Sequence, residues 1–409
     1  MRIMVQKFGG SSVATATQRE RVCARIQEAL QDGFSVVVVV SAMGRVGDPY
    51  ATDTLINLTQ EVYPDCPKRE LDLLLSCGEI ISSAVLAAHL LRLGYNVTVL
   101  SGREAGIITD NNFGDARVLR VIPTKILELL KLKKIVIVAG FQGVTEEGEV
   151  TTLGRGGSDT TACALGIALG AEVVDIFTDV QGIMTADPRI VEKARLLDQV
   201  TYYEICHLAH QGAKVIHPHA VEMAMQNNIP LRVRSTFVEG LGTLVSNGSY
   251  GARVGVDIRS DRLITGITHI AQITQLQITI NQEDVSAALV QIFQSLARAG
   301  ISVDFINIHP EVAIFTVADT VVEKAVKIMK NLHFEPQVRP NCAKISVVGA
   351  GMAGIPGVMA TIVEALGREQ IPILQSTDSH TTIWCLVDRS QMERAVRVLH
   401  QAFQLDRED

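Results

Sequence analysis

Several features that would narrow the function of this 409-residue chain are missing from its sequence. The formal net charge is −7, so the chain has no excess of basic residues that would attract nucleic acid. The longest apolar run covers residues 35–43, far short of the roughly 20 residues that a membrane-spanning helix needs. The N-terminal residues contain no apolar segment typical of a signal peptide. Proline is scarce and charged residues make up only 20%, which argues against extensive disorder.

Cysteine is present, but in no pattern that indicates a disulfide framework or a metal site. The seven cysteines are odd in number and scattered, and no two of them form a CxxC pair. This distribution is typical of reduced thiols. We therefore expect a cytoplasmic protein without structural disulfides or bound zinc.

The first 245 residues have the pattern of an α/β domain. Short β-branched runs occur at 4–8, 35–41, 96–100, 134–139 and 173–178, and several are apolar at every position. Strands of this kind are covered on both faces, which favours a parallel sheet. Segments with helical spacing lie between them, so we predict a three-layer αβα domain over residues 1–245.

The last 145 residues contain an internal repeat. The segment that starts at Val285 aligns without a gap with the segment that starts at Ile355, and each reads as a helix followed by two strands. A repeat of this size indicates one small module used twice. We predict two α+β modules, at 262–335 and 343–405, joined to the first domain through residues 245–261.

The stretch QKFGGSS joins a lysine to two glycines directly after the first predicted strand. Gly9 and Gly10 allow the backbone to approach a ligand closely, and Lys7 could neutralise a phosphate. An ordinary glycine turn with a surface lysine explains the same residues. The spacing alone leaves both interpretations open.

The stretch TLGRGGSDTTA carries a stronger signal. Gly156 and Gly157 predict a turn, and Ser158 or Asp159 is expected to cap the helix that follows. Arg155 is not explained by capping, because a cation beside the positive end of a helix is unfavourable unless an anion binds there. We therefore expect an anion site at this helix start.

Two further segments offer polar side chains. Thr178 and Asp179 end a predicted buried strand, and Asp187 and Arg189 lie in the loop beyond it; a plain βα loop is the alternative. Lys214, in a later glycine-containing stretch, is another possible phosphate contact.

Two other patterns suggest cofactors but fail on inspection. Four histidines fall between residues 207 and 219, yet no Cys, Asp or Glu completes a standard zinc spacing. Residues 349–354 form a G-x-G-x-x-G sequence, but Glu369 precedes the next strand instead of ending it, and too few residues follow for a dinucleotide-binding half-domain. We expect neither zinc nor NAD.

Taken together, the motifs resemble those of the aspartokinases of the amino-acid kinase superfamily. The matching segments run in order along nearly the whole chain and are KFGGSSV, SAMG, LLLSCGE, VAGFQG, TLGRGGSDTTA, FTDVQGIMTADPRI, GAKVIHPHAVE and LRVRSTF. The C-terminal repeats are similar to the tandem ACT modules that regulate such kinases. The resemblance implies feedback control by an end-product amino acid, and assembly of a homo-oligomer through the ACT modules.

The resemblance also implies roles for individual residues. Those expected to hold aspartate are Thr52, Glu79 (for its ammonium group), Arg155 (for its α-carboxylate), Gly156, Gly157 and Ser158. Those expected around the nucleotide are Lys7, Gly9, Gly10, Ser11, Ser41, Thr178, Asp179, Met184, Arg189 and Lys214. Lys7, Asp159 and Lys214 are the expected catalytic residues, with Asp159 anchoring the lysines. Many family members have tyrosine where this chain has Met184.

For the effector, the resemblance implies a site near a Pro-Gly turn of the ACT modules. The second repeat keeps this turn at Pro356–Gly357, whereas the first has Ser286–Ala287. The candidate effector contacts are Asp304, Asn307, Ser376 and Asp378.

The implied reaction is phosphorylation of the β-carboxylate of L-aspartate by ATP, with Mg²⁺ bound to the nucleotide. It would be the first step towards lysine or diaminopimelate, threonine and methionine. Two alternatives stay open at this point. One is a related kinase for glutamate, acetylglutamate or a nucleoside monophosphate, and the other is a non-catalytic amino-acid sensor.

Overall fold

The computed structural model describes residues 1–210, 215–247, 263–280, 285–349, 352 and 355–407. The chain divides into two compact units. Unit 1 holds Met1–Ile183, Leu196–Ala209 and the described residues of Lys214–Arg259. Unit 2 holds Met184–Arg195 and the described residues of His210–Ala213 and Ser260–Asp409.

Unit 1 contains a large sheet and a small one. In chain order its strands are β1 (Ile3–Phe8), β2 (Ser35–Val40), β3 (Val97–Leu100), β4 (Ile107–Thr109), β5 (Val118–Val121), β6 (Ile135–Ala139), β7 (Gln142–Val144), β8 (Val150–Thr152), β9 (Val173–Thr178), β10 (Gln199–Val200), β11 (Leu231–Ser235) and β12 (Thr243–Val245). Its helices are α1 (Gly10–Val13), α2 (Ala16–Gln31), α3 (Thr52–Gln60), α4 (Lys68–Arg92), α5 (Thr124–Lys131), α6 (Gly157–Leu169), α7 (Tyr202–His210) and α8 (Pro218–Gln226).

The large sheet has the strand order β10-β12-β11-β9-β1-β2-β6-β3 among the described residues. Its pairs are parallel except for β11 with β12. The five predicted strands are therefore present, and the predicted α/β class with a mainly parallel sheet is confirmed. Strands β10, β11 and β12, which extend the sheet on one side, were not predicted. The small sheet, in the order β5-β4-β7-β8, was also not predicted.

Helices cover both faces of the large sheet because its central strands are apolar throughout. Met4, Phe8 and Val38 lie in one buried cluster with residues of α2 and α4. On the other face, α6 approaches β9 closely, since a Cβ at Gly166 would lie 2.4 Å from a methyl carbon of Val174. This gives the three predicted layers.

Helix α4 is the one described helix long and apolar enough, by length and composition, to cross a membrane. Half of its most apolar part is buried inside the structure, and Asp72 and Glu79 are among its buried residues. Both features are typical of a core helix, which is how α4 serves unit 1.

A buried ion pair ties β9 to β11. Asp175 is completely buried, and its carboxylate accepts hydrogen bonds from Arg232 at 2.9 and 2.8 Å and from Arg234 at 3.4 Å. The parallel register places these three residues side by side on adjacent strands. The two guanidinium groups thus replace the hydration that Asp175 loses on burial.

Unit 2 contains a single antiparallel sheet among its described residues. Its strands are β13 (Gly266–Thr279), β14 (Asp304–His309), β15 (Val312–Ala318), β16 (Gln337–Val348), β17 (Gln375–Asp378) and β18 (Thr382–Asp388), in the order β14-β15-β13-β16-β18-β17. Its helices are α9 (Val285–Arg298), α10 (Val322–Asn331), α11 (Val358–Arg368) and α12 (Met392–Ala402).

The predicted repeat is visible in these elements. Each copy runs strand, helix, strand, strand, helix, and adding the 70-residue offset to β15 gives the limits of β18. The equivalent apolar residues Ile292 and Ile362 are both fully buried, as core positions of one module used twice should be. The central strands β13 and β16 join the two copies.

The segment Met184–Arg195, which lies between β9 and β10 in the sequence, belongs to unit 2. Thr185 is buried, accepts a hydrogen bond from the backbone of Arg195 and lies 2.9 Å from Nε2 of His400. The contact joins the segment Met184–Arg195 to helix α12, with the proton on either partner according to the tautomer of His400. Burial lowers the pKa of His400, which favours its neutral form.

The Asp175 ion pair leads to a stability prediction. Asp175→Ala leaves two partly buried guanidinium groups without their carboxylate, and we expect the free energy of unfolding to fall by about 3 kcal/mol. Glu172→Ala is the matched control, because the Glu172–Arg2 pair is about half exposed and solvent screening leaves such a pair little effect on stability. Urea unfolding followed by circular dichroism measures both. Equal, small losses for the two variants would contradict the assignment.

Candidate active site at the carboxyl edge of the large sheet

The strands β1, β2, β6 and β9 end at the same edge of the large sheet. Their register pairs Phe8 with both Val40 and Phe177, and Val40 with Ala139. The glycine loop after β1, the SAMG loop after β2 and the Thr178–Asp179 pair therefore meet at one edge, as expected for ligand sites in open parallel sheets.

Lys7 and Asp159 form the central ion pair of this edge. The Lys7 ammonium lies 2.7 Å from a carboxylate oxygen of Asp159, and the two side chains are 14% and 10% exposed. The second carboxylate oxygen of Asp159 accepts a hydrogen bond from the backbone of His217 at 3.2 Å. The contact brings β1 and the start of α6 together, and it orients the Lys7 ammonium.

The prediction that Ser158 or Asp159 caps α6 is wrong. Gly156 occupies the N-cap position with φ of +69°, and no side chain caps the helix. A residue with a Cβ does not fit there, because the Cβ would lie 2.1 Å from the ring of His217. Asp159 instead turns to Lys7, and Ser158 is buried with its hydroxyl beside Gly140.

The glycine loop after β1 packs backbone against backbone with the SAMG loop after β2. A Cβ at Gly10 would lie 2.5 Å from the carbonyl oxygen of Ala42, and the N–H of Gly44 donates to Gly10 at 3.1 Å. At Gly9, a Cβ would lie 3.7 Å from the Lys7 ammonium. The glycines thus let both loops and the lysine share one small space.

Glu79 is a carboxyl group buried without a cation. Its side chain belongs to α4 and is 2% exposed. One oxygen accepts a hydrogen bond from the backbone of Ala42 at 3.0 Å, and the other has no partner among the described residues. Burial raises the pKa of Glu79 to about 8, so the group carries a proton at neutral pH until a cation arrives.

Arg155 is a cation without a carboxylate partner among the described residues. It lies on the turn between β8 and α6, is exposed, and forms no ion pair with any residue that the structure describes. Thr52, the first residue of α3, is half-buried. The edge therefore presents a carboxyl group that lacks a cation and a guanidinium group that lacks an anion.

A cavity of about 670 Å³ opens at the same edge. Ser11 and Asp179, two of the predicted nucleotide residues, both line it. Arg45, another lining residue, pairs with Asp179 at 2.8 Å, and the Thr178 hydroxyl donates to Asp179 at 3.1 Å. The volume suits a small-molecule ligand.

Sequence reasoning missed Arg45 and Arg19, which both line this cavity. Arg45 directly follows SAMG, and this position next to a matched motif was the available signal. Arg19 lies nine residues beyond Gly10 on α2, and nothing in the local sequence marks it.

For three predicted nucleotide residues, the structure gives no test of the prediction. Met184 and Arg189 lie in the unit 2 segment, where Arg189 pairs with Asp187 at 2.6 Å and lowers the pKa of that carboxyl group. Lys214 lies outside the described residues. Their nucleotide roles stay predictions.

The predicted effector contacts lie on the two edge strands of the unit 2 sheet. Asp304 and Asn307 belong to β14, and Ser376 and Asp378 belong to β17. Asp304 forms an ion pair with Lys344, an ammonium group that is almost fully buried on β16. Their effector roles also stay predictions.

Comparisons with known proteins agree with this architecture. The amino acid kinase family matches residues 2–235, and the ACT domain family matches residues 337–401. "Aspartokinase 1" of Bacillus subtilis strain 168 is 51% identical over 409 residues and covers 100% of both chains. An aspartokinase of Geobacillus stearothermophilus is 41% identical and covers 100% of this chain and 98% of its own.

Solved structures show the same likeness. The crystal structure of E. coli aspartokinase III in complex with aspartate and ADP has a TM-score of 0.78 at 26% identity, and covers 98% of this chain and 99% of that one. The same enzyme in complex with lysine and aspartate has a TM-score of 0.74. The chain therefore belongs to the amino acid kinase family and, within it, to the aspartokinases. The predicted class of enzyme is confirmed.

The raised pKa of Glu79 leads to a prediction about stability and pH. The folded pKa of about 8 lies above the ordinary value of 4.5, so folding favours the protonated form. Stability is then full below pH 4.5 and is lost as the pH rises through 8. Glu79→Gln removes this loss, so the variant should be the more stable protein at pH 8.5 and differ little at pH 5. Urea unfolding at both pH values measures it, and the same pH dependence in both proteins would contradict the assignment.

Proposed function

We propose that this chain transfers the γ-phosphoryl group of ATP to the β-carboxylate of L-aspartate, giving 4-phospho-L-aspartate and ADP. The observation that carries the proposal is a buried carboxyl group and an exposed guanidinium group, neither of which forms an ion pair with a residue that the structure describes. Glu79 binds the ammonium group of the substrate, and Arg155 donates hydrogen bonds to its α-carboxylate. An amino acid forms an ion pair with each of the two residues at once. These two contacts at the α-carbon then direct its side chain towards the γ-phosphorus.

The substrate supplies its own nucleophile. A free carboxyl group has a pKa near 4 and is already ionised at pH 7, so no general base is needed. A bond forms between a β-carboxylate oxygen and the γ-phosphorus, the bond to the β-phosphate oxygen breaks, and ADP leaves with that oxygen. The main obstacle is repulsion between two anions, so catalysis depends on in-line positioning and on fixed positive charge.

Lys7 provides that charge from a fixed position. Its ammonium is held by Asp159 beside the glycine loop, where the transferring phosphoryl group would lie. Ser158 and the turn at Gly156–Gly157 orient the aspartate at the start of α6. Lys214 is the second proposed cation.

The nucleotide binds along the same edge. The proposed contacts at this edge are Gly9, Gly10, Ser11, Ser41, Thr178 and Asp179. Met184, Arg189 and Lys214 are proposed as nucleotide contacts from the family resemblance alone. The described residues contain no cluster of three or more His, Cys, Asp or Glu side chains able to hold a metal. Mg²⁺ is proposed to enter with the nucleotide, because Mg²⁺ is usually held by substrate phosphates and water and neutralises phosphate charge there.

Residues 1–245 form the proposed catalytic domain, and 262–335 and 343–405 the two regulatory ACT domains. An end-product amino acid would bind near Asp304, Asn307, Ser376 and Asp378, and the ACT domains would pair between copies of the chain. We place the work of this chain in the cytoplasm, because the scattered, odd-numbered cysteines of the sequence are typical of reduced thiols.

The direct test is a substrate panel. Purified protein with ATP is given aspartate, glutamate, acetylglutamate or a nucleoside monophosphate, and acyl phosphates are trapped with hydroxylamine. We expect a hydroxamate with aspartate. Preference for another acceptor would favour a related kinase, and no turnover with any of them would favour the sensor.

The role of Arg155 leads to the first kinetic prediction. Arg155→Ala removes the partner of the α-carboxylate, so the KM for aspartate should rise by roughly tenfold to a hundredfold, with little change for ATP. Steady-state assays with each substrate varied in turn measure this. Arg120→Ala is the control, because Arg120 is exposed and pairs with Glu146 on the small sheet. Equal damage to both KM values would contradict the assignment to the amino acid.

The role of Lys7 leads to the second kinetic prediction. The negative charge that its ammonium faces is redistributed in the transition state, so Lys7→Ala should lower kcat by about a hundredfold or more. Lys134→Ala is the matched control, because Lys134 lies at the opposite edge of the same sheet, next to Thr98. Near-normal turnover by Lys7→Ala would remove this residue from the phosphate site.

A further inference from the structure

Helix α4 carries a second buried carboxylate that the proposed mechanism does not use. Asp72 lies seven residues before Glu79, about two helical turns away, and is completely buried. No cation pairs with it among the described residues. Its oxygens accept three hydrogen bonds instead, from the Thr152 hydroxyl at 2.7 Å and from the backbone N–H groups of Thr152 and Gly114 at 2.9 Å each.

These three hydrogen bonds fix the segment that leads to Arg155. Thr152 is the last residue of β8, three positions before Arg155. The carbonyl of Thr152 accepts from the N–H of Ala116 at 2.9 Å, which ties β8 to the loop that contains Gly114. The turn itself is closed at Gly154, which has φ of +67° and where a Cβ would lie 2.4 Å from a carboxylate oxygen of Asp115.

We propose that Asp72 is a positioning residue that sets the distance between Arg155 and Glu79 and thereby selects the length of the amino-acid substrate. The inference rests on the proposed function. Glu79 is part of α4, and Arg155 is attached to α4 through Asp72 and Thr152. The helix therefore fixes the distance between the residue that binds the ammonium group and the residue that binds the α-carboxylate.

The selection follows from the geometry of the substrate. Both contacts are made at the α-carbon, so their spacing places the side-chain carboxylate relative to the phosphorus. Glutamate has one methylene more than aspartate, and an error of this size in the position of a reacting atom costs much of the rate. A loosened Arg155 turn would tolerate either length, and would hold aspartate less well.

The test is Asp72→Asn, which keeps the shape but places an amide NH₂ against N–H donors. With the hydroxylamine assay at saturating ATP, we expect the KM for aspartate to rise by about tenfold and the kcat/KM ratio of aspartate to glutamate to fall by a similar factor. The KM for ATP should change by less than about twofold, because the nucleotide contacts do not depend on β8.

Two further variants separate positioning from stability. Asp175→Asn alters another fully buried carboxylate of unit 1 whose partners are Arg232 and Arg234, so it should lower stability without changing the KM for aspartate. Thr152→Val removes one partner of Asp72 and should raise the KM for aspartate in the same direction, whereas Thr152→Ser should restore it. Because Asp72 and Thr152 act through one contact, the double variant should be no worse than Asp72→Asn alone.

The outcomes are distinct. If the unmodified protein phosphorylates aspartate and Asp72→Asn or Thr152→Val keeps both the KM for aspartate and the discrimination against glutamate, the positioning role is overturned. If Asp72→Asn does not fold, Thr152→Val decides in the same way. If the unmodified protein forms no acyl phosphate with aspartate, the proposed function itself fails.

Discussion

The proposed site depends on a buried carboxyl group that has no cation beside it among the residues that the structure describes. The Glu79 side chain is 2% exposed. One of its oxygens accepts a hydrogen bond from the backbone of the SAMG loop, and the other has no hydrogen-bond partner among the described residues. Burial of this kind costs free energy unless the group stays protonated or gains a partner. In the proposed function, the ammonium group of the substrate is the partner that offsets this cost.

The other charged side chains of this edge are held by their own contacts. Lys7 is held by Asp159, so the position of its ammonium group does not depend on a bound phosphate. Arg155 lies on a turn in which Gly154 and Gly156 both have positive φ angles. Preorganised charge of this kind needs little rearrangement during the reaction. Helix α4 contains Glu79 and, through Asp72, anchors the strand that precedes Arg155, so it connects the two ends of the proposed substrate site.

Sequence pattern predicted those parts of the molecule that local physics determines. The all-apolar runs predicted the central parallel strands, and the repeat predicted paired elements that end at equivalent residues, such as β15 and β18. Strands β10, β11 and β12 were not predicted, because β10 and β12 have only two and three residues, and β11 alternates apolar residues with arginine over five positions. The cap of α6 was predicted wrongly, since the partner of Asp159 is Lys7, 152 positions away in the sequence. Asp72 was missed for the same reason, as its partner Thr152 lies 80 positions away.

The central claim is that Glu79 is protonated in the free protein and is ionised by the ammonium group of aspartate. Calorimetric titration with aspartate at pH 7, in two buffers that differ in their enthalpy of ionisation, counts the protons exchanged on binding. With a pKa of about 8 for Glu79, the account predicts release of about one proton for each aspartate bound, and none with Glu79→Gln. Binding of aspartate to the unmodified protein without proton release would contradict it.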